Sequence, residues 1–417
     1  MAAEAATSEL LAEAQRASAA GAEPRAIELL RSALEREPDN PQILNMLANR
    51  LASAGDLDSA CELLRRATEI EPDAAQLWLN LASAERARRD SEGEEWALHR
   101  ALTIEPYFVA ALLQRGELYE RLERESDAAR SYSAVLTIVS QLDNIPPALQ
   151  PRLQHANDFV SDYRAAVTDR IRKATERTAA ASPRFDYCLD ILSGRRRIYL
   201  PQPTRLYFPG LPAVAFFDRA LFPWFDELEA ATDVIRRELL AVLTADSGMR
   251  PYIDIAEANP VNQWDKLNRS LDWSAFFLWE NGRRDESNCA ACPETAALVE
   301  QLPLFTIPGH APTAMFSILK PGAHIPPHTG DSNMRAVVHL PLVVPPDCAF
   351  RVGADERTWV EGVAWAFDDT IEHEAWNRSA HARAILIVDA WNPYLTGDER
   401  ELLSAAEQVL KSGGSPS

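Results

Sequence analysis

The sequence predicts a multidomain chain: an all-α repeat solenoid followed by a double-stranded β-helix (jelly roll) with flanking helices. Three observations carry this. A 34-residue period runs through the first third, the texture changes near residue 185, and short apolar runs separated by turn residues fill the last third.

The repeat comes first. Pro38, Pro72 and Pro106 lie 34 residues apart, each preceded by Glu. Leu10, Leu44, Trp78 and Leu112 share a second phase, and Ala14, Ala48, Ala82 and Gly116 a third. Ala26, Ala60 and Ala128 share a fourth, broken by Glu94, and Leu30, Leu64, Leu98 and Tyr132 complete the set. A small residue at a fixed phase lets paired helices approach, large apolar residues fill the gap, and proline restarts the next helix. The pattern resembles a tetratricopeptide array of about four helix pairs over residues 6–140. Such arrays offer a concave groove to a peptide or protein partner, and a dimerisation or packing scaffold is the alternative.

Residues 141–184 read as a linker and connecting helix. "NIPPALQPRLQ" breaks the period, and 152–180 reads as one long polar helix that caps the array or joins it to the next domain. From 185 to 400, Pro, Trp and Phe replace the alanine-rich helices. "FDELEAATDVIRRELLAVL" reads as one helix and "DWSAFFLWENGRR" as a strand and turn. Six runs then read as strands: "TAMFSILKPG", "RAVVHLPLVVP", "CAFRVG", "RTWVEGVAWAFDD", "IEHEAWN" and "ARAILIVDAWNP". Residues 401–417 form a C-terminal helix and tail.

Composition excludes some partners. The formal net charge of −20 argues against nucleic acid and against an anionic membrane surface. No run approaches a membrane helix, and the acidic, amphipathic N-terminus lacks the basic start of a signal peptide. Five scattered cysteines suit a reducing compartment, so the expected location is cytoplasmic, with no membrane anchor.

The chemistry gathers late in the chain. His324 and His328 sit near the turn after "SILKPG", His339 on the following strand, His373 in "FDDTIEHEAWN", and Arg383 inside "ARAILIVDAW". Each alone has a structural explanation. In a double-stranded β-helix, however, a histidine at one strand and another on a later strand converge on one metal. A basic residue among apolar neighbours then anchors an anionic co-substrate.

Residues 315–393, "MFSILKPGAHIPPHTGDSNMRAVVHLPLVVP…FDDTIEHEAWN…RAILIVDAWNP", resemble the aspartyl/asparaginyl β-hydroxylase family, and "LYFPGLP" and "DWSAFFLWENGRR…CPET" agree upstream. The resemblance implies an Fe(II)- and 2-oxoglutarate-dependent dioxygenase. It would use O2 to hydroxylate a C–H bond, the β-carbon of Asp or Asn in a protein or peptide that the array can present. It makes His328 and His373 the iron ligands. Ser317 and Arg383 would hold the distal carboxylate of 2-oxoglutarate, and His339, with Arg335, the metal-side one. Trp279 and Asp369 would face substrate, with no catalytic side chain beyond the metal site. Two departures stand out. Gly330 occupies the place of a facial-triad acid, a gap the family shares, with Asp331 and Asp369 as stand-ins or strand-end residues. Val337 replaces an arginine of the family's "RLRxHL". A non-catalytic scaffold with a degenerate oxygenase domain, or a hydroxylase of a lipid or small molecule, are the alternatives. "CAAC" (Cys289–Cys292) reads as structural, and "GRRR" (Gly194–Arg197) as a solvated turn.

Overall fold

In the computed structural model, residues 2–142, 144–176, 182–245 and 248–412 are described. The chain divides into two compact units, 1–195 and 196–417.

The first unit is a series of antiparallel helix pairs. They are α1 (Ala2–Ala19) with α2 (Glu23–Arg36), and α3 (Pro41–Ser53) with α4 (Leu57–Ile70). Next come α5 (Ala75–Arg88) with α6 (Ser91–Ile104), and α7 (Val109–Arg121) with α8 (Glu125–Val139). The repeated prolines do not start helices. Each follows the last residue of a second helix, and a proline pushes the residue before it out of the helical region. Glu37, Glu71 and Glu105 accordingly sit at φ −129°, −120° and −127°, so the proline is a stop signal.

The small-residue phases are the contact lines. Ala26, Ala48, Ala60, Ala82 and Ala128 are wholly buried. The last pair departs in a compensated way. Tyr132 replaces the leucine of the other repeats, and a Cβ on Gly116 would lie 2.3 Å from its ring. Glu94, which breaks the alanine phase, is buried but bonded to Arg121 and, at 3.2 Å, to Gln114. Helix α9 (Gln150–Thr175) then buries Leu153, Ala156 and Val160 against the array's core. The expected long helix therefore caps the array, although 177–180 of its range lie outside the described residues. Helix α10 (Pro183–Leu192) belongs to this unit, so the second unit begins at 196, eleven residues later than 185.

The second unit opens with helices. The run expected as one helix is two, α11 (Phe225–Ala230) and α12 (Thr232–Ala245), broken where the Thr232 hydroxyl donates to the Glu229 carbonyl at 2.6 Å. Strands β1 (Arg250–Pro251), β2 (Trp273–Glu280) and β3 (Arg283–Arg284) follow, then α13 (Glu286–Ala291) and α14 (Pro293–Gln301). Eight strands complete the sheets: β4 (Ala314–Leu319), β5 (His324–His328), β6 (Arg335–Val343), β7 (Cys348–Val352), β8 (Asp355–Arg357), β9 (Trp365–Phe367), β10 (His373–Asn377) and β11 (Arg383–Trp391).

The large sheet runs β1-β2-β4-β11-β6-β9, with β3 on β2, and the small sheet β5-β10-β7-β8. From β4 to β11 the chain thus winds between two antiparallel sheets, the double-stranded β-helix expected from the sequence. Alternation sorts the large sheet's side chains. On β11, Ala384, Leu386, Val388 and Ala390 pack with α12 and α14 in one core, while Ile385 turns to the space between the sheets. The C-terminal helix α15 (Gly397–Ser412) docks Leu403 beside Phe305, Met334 and Leu395, and 413–417 lie outside the described residues.

Candidate active site

The facing sheets enclose a cavity of about 260 Å³. Strand alternation supplies its walls. Arg383, Ile385, Ile387 and Asp389 come from β11, Arg335, Val337 and His339 from β6, and Met315 and Ser317 from β4. The small sheet contributes His328, Phe350 and His373.

His328 and His373 are register partners across β5 and β10, with ring centroids 4.0 Å apart. Each Nδ1 donates to the carbonyl two residues earlier, His328 to Pro326 at 2.8 Å and His373 to Ile371 at 3.0 Å. These bonds fix both rings as the Nδ1–H tautomer and leave Nε2 as a lone-pair donor. Burial lowers the pKa of both, and for His373 the neighbouring His328 lowers it further. Two neutral, oriented imidazoles are a donor set that fits a first-row divalent metal. Among the described residues no group of three His, Cys, Asp or Glu side chains could hold a metal. Small molecules would supply the remaining positions.

The glycine at 330 has a geometric explanation. A Cβ on Gly330 would lie 2.0 Å from Oδ2 of Asp369, so a carboxylate from the loop before β10 occupies that space. Asp369 Oδ2 accepts from Arg335 at 2.6 Å, whereas its buried Oδ1 has no partner among the described residues. Burial pushes the Asp369 carboxyl up to about 7, against the pull of Arg335.

Another part of the cavity is cationic. Arg383 is 2 % exposed, and no carboxylate among the described residues lies within ion-pair distance of it. Its Nη1 is 3.4 Å from both the carbonyl and the hydroxyl of Ser317, its Nε has no partner, and burial pushes its pKa down to about 10. The Trp273 indole donates to Ser317 Oγ at 3.1 Å. The Trp359 ring lies 4.8 Å from the Arg383 guanidinium carbon, and its Nε1–H donates to His339 Nδ1 at 3.3 Å. Burial, then Arg383, holds His339 well below the usual histidine range, hence neutral. A buried guanidinium without a counter-ion is costly unless a ligand supplies the anion, and a hydroxyl beside it suits a carboxylate.

The cavity brings together His328, His373, Ser317, His339, Arg383, Arg335 and Asp369. Two expectations need correction. Arg335 faces the cavity, but its Nη atoms are engaged by Asp369, by Asp389 at 3.1 Å and by Asp331 at 3.4 Å, so three carboxylates already answer its charge, while its buried Nε has no partner among the described residues. Trp279 lies elsewhere, in the core beneath the helices. Strict alternation from Trp273 would turn it toward the cavity, but a bulge between Phe277 and Trp279 reverses its face. Nearby Arg284 lies over the Trp279 ring and pairs with Glu286 and Glu300. The sequence reading also missed Trp359, Trp264 and Tyr252 in the cavity wall. Trp264 meets the His328 ring edge-on at 4.9 Å. These residues lie on loops and short segments without periodicity, where no spacing signals a common destination. Cys289 and Cys292 are buried free thiols in the α13–α14 core, in keeping with a structural role. In "GRRR", Arg195 and Arg196 are ion-paired, to Asp190 and Asp355.

Comparison with known proteins agrees with this division. Residues 229–393 match the family model described as aspartyl/asparaginyl beta-hydroxylase, and residues 17–85 match the tetratricopeptide repeat model. The human aspartyl/asparaginyl beta-hydroxylase is 37% identical over 186 residues, 44% of this chain and 24% of that protein. The ornithine lipid ester-linked acyl 2-hydroxylase of Rhizobium tropici is 38% identical over 187 residues, 44% of this chain and 62% of that one. The matched region therefore spans a quarter of one relative and under two thirds of the other. Among solved structures, a crystal structure of MamA protein covers 42% of this chain and 95% of its own, at 17% identity and a TM-score of 0.33. Among the described residues, no helix is long and apolar enough to cross a membrane.

Proposed function

We propose that this chain, which carries an aspartyl/asparaginyl β-hydroxylase-type domain behind tetratricopeptide repeats, is an Fe(II)- and 2-oxoglutarate-dependent hydroxylase. One observation carries the reading. Two neutral histidines with free Nε2 atoms share a single cavity with Arg383, a buried cation that lacks an anion.

His328 and His373 would hold the metal through Nε2. Bound there, Fe(II) with 2-oxoglutarate and O2 supplies the oxidant that hydroxylates an unactivated C–H bond, with succinate and CO2 as co-products. Arg383 and the Ser317 hydroxyl would bind the distal carboxylate, and His339 the metal-side one, in a wall that Val337 keeps apolar. Asp369, packed beside Gly330, would be the carboxylate nearest the position that side chains leave open. Trp264 and Tyr252 add aromatic surface to the cavity wall.

The substrate we favour is an Asp or Asn side chain of a protein or peptide. The human relative's name supports this, and the repeat array would supply a second binding surface for such a partner. A lipid acyl chain is the second reading, supported by the equal identity to the Rhizobium acyl 2-hydroxylase. Five free cysteines accord with work in a reducing, cytoplasmic setting.

The test is succinate formation from 2-oxoglutarate with added Fe(II) in air, followed by a search of cell proteins and lipids for +16 Da products. His328→Ala and His373→Ala should each abolish succinate formation and metal binding alike. A protein that binds neither metal nor 2-oxoglutarate, with both variants indistinguishable from wild type, is instead a scaffold with a degenerate oxygenase fold.

A further inference from the structure

Trp359 lies between β8 and β9, in a stretch expected as strand, yet it is only 5 % exposed. It touches both polar groups of the cavity's cationic part. Its indole N–H reaches His339 Nδ1 at 3.3 Å, and its ring lies against the Arg383 guanidinium at 4.8 Å. An indole nitrogen can only donate, so Nδ1 of His339 must accept, and in the neutral ring the proton sits on Nε2. No other described residue hydrogen-bonds to the His339 ring. The rings of Phe350 and Phe367, at 5.2 and 5.0 Å, hold it from the sides without choosing a tautomer.

The tautomer matters because of its neighbours on β6. Val337 offers no donor, and the charge of Arg335 is answered by three aspartates on its Nη atoms, with only the buried Nε unpartnered among the described residues. His339 is therefore the ring donor on this strand without a carboxylate beside it. With the proton on Nε2 it donates, and with the proton on Nδ1 it would present a lone pair to a negatively charged oxygen.

We propose that Trp359 is a positioning residue for the co-substrate: its N–H fixes His339 as the Nε2–H tautomer while its ring steadies Arg383. The proposal rests on the 2-oxoglutarate reading above, and its test separates the two. In full-length, metal-free protein labelled with ¹⁵N-histidine, long-range ¹H–¹⁵N spectra identify the His339 tautomer with no ligand present. Wild type should show Nε2–H. Trp359→Phe keeps an aromatic face for Arg383 but removes the donor. It should shift His339 toward Nδ1–H and weaken 2-oxoglutarate binding about tenfold, measured with Mn(II) in place of iron so that no turnover is needed.

Should Trp359→Phe fail to fold, benzothienylalanine at 359 exchanges N–H for sulfur within the same ring outline and carries the same expectation. An Nδ1–H wild type would overturn the proposal, as would a Trp359→Phe protein that keeps Nε2–H and binds within twofold of wild type. A wild type that shows Nε2–H yet binds no 2-oxoglutarate would overturn the co-substrate reading, and with it the role of Trp359 toward that ligand.

Discussion

Two buried acids of the repeat array and one buried cation of the β unit are treated in opposite ways. In the repeat array, Glu85 and Glu94 are each 1 % exposed, and each is fully answered: Glu85 by Arg65 and Arg88, Glu94 by Arg121 and Gln114. In the β unit, Arg383 is just as buried, yet it meets only the Ser317 hydroxyl and carbonyl at long range and an aromatic face. Folding tolerates a buried ion when its partners travel with it, and the array's arginines do so. A buried ion left without partners is a place kept for something from outside. A buried charge with partners, such as Glu94, therefore reads as architecture, and one without a counter-ion, such as Arg383, as a candidate ligand site. Partner accounting tells them apart.

The largest test of that contrast exchanges function for stability. Arg383→Met should lower 2-oxoglutarate affinity at least about a hundredfold by titration, while leaving the melting temperature unchanged or raised, because it removes an uncompensated charge. Glu94→Ala should do the reverse. It should cost about 1–2 kcal/mol in denaturant unfolding, moderated because Arg121 can turn to water, and leave 2-oxoglutarate affinity untouched. If both variants lose binding, or both lose only stability, the contrast fails.

A second test stays inside the array, where packing should be locally self-consistent. Gly116→Ala brings a methyl group to 2.3 Å from the Tyr132 ring and should destabilise by about 1–3 kcal/mol. Adding Tyr132→Leu restores the pairing of the other repeats and should recover most of that loss, a non-additivity that a double-mutant cycle reads directly.

The smallest effect concerns pH. Asp369, raised to about 7, holds its proton in the native state while the unfolded chain has already lost its own. Between about pH 4 and 7 the native state thus binds more protons, and this residue's contribution to stability falls as pH rises. Asp369→Asn should flatten that part of the profile in metal-free protein, measured as unfolding free energy at stepped pH.

What was legible in the sequence follows the same division. Helix pairing repeats, so its small and large phases could be read by comparing the chain with itself, even to the irregular Glu94. The positions of His328, His339, Ser317 and Arg383 could be read through the resemblance to a known family, and alternation then turns Ser317, His339 and Arg383 to the cavity face of the large sheet, opposite His328 on the small one. Trp279 was misplaced because one extra residue in β2 reverses a strand's faces, and a bulge leaves no mark in composition. The engagement of Arg335 was hidden because Asp369 and Asp389 lie 34 and 54 residues away, joined to it only by the closing of the sheets. Trp359 was invisible for a related reason. Its partners are set by a loop's path between two sheets, which no local pattern encodes.

Gly330 has a consequence for redesign. An acid introduced at this position would meet the Asp369 carboxylate at once. Making room for it would need a smaller residue at 369, in a segment 39 residues away, so the two positions can change only as a pair. Each holds the other's identity in place.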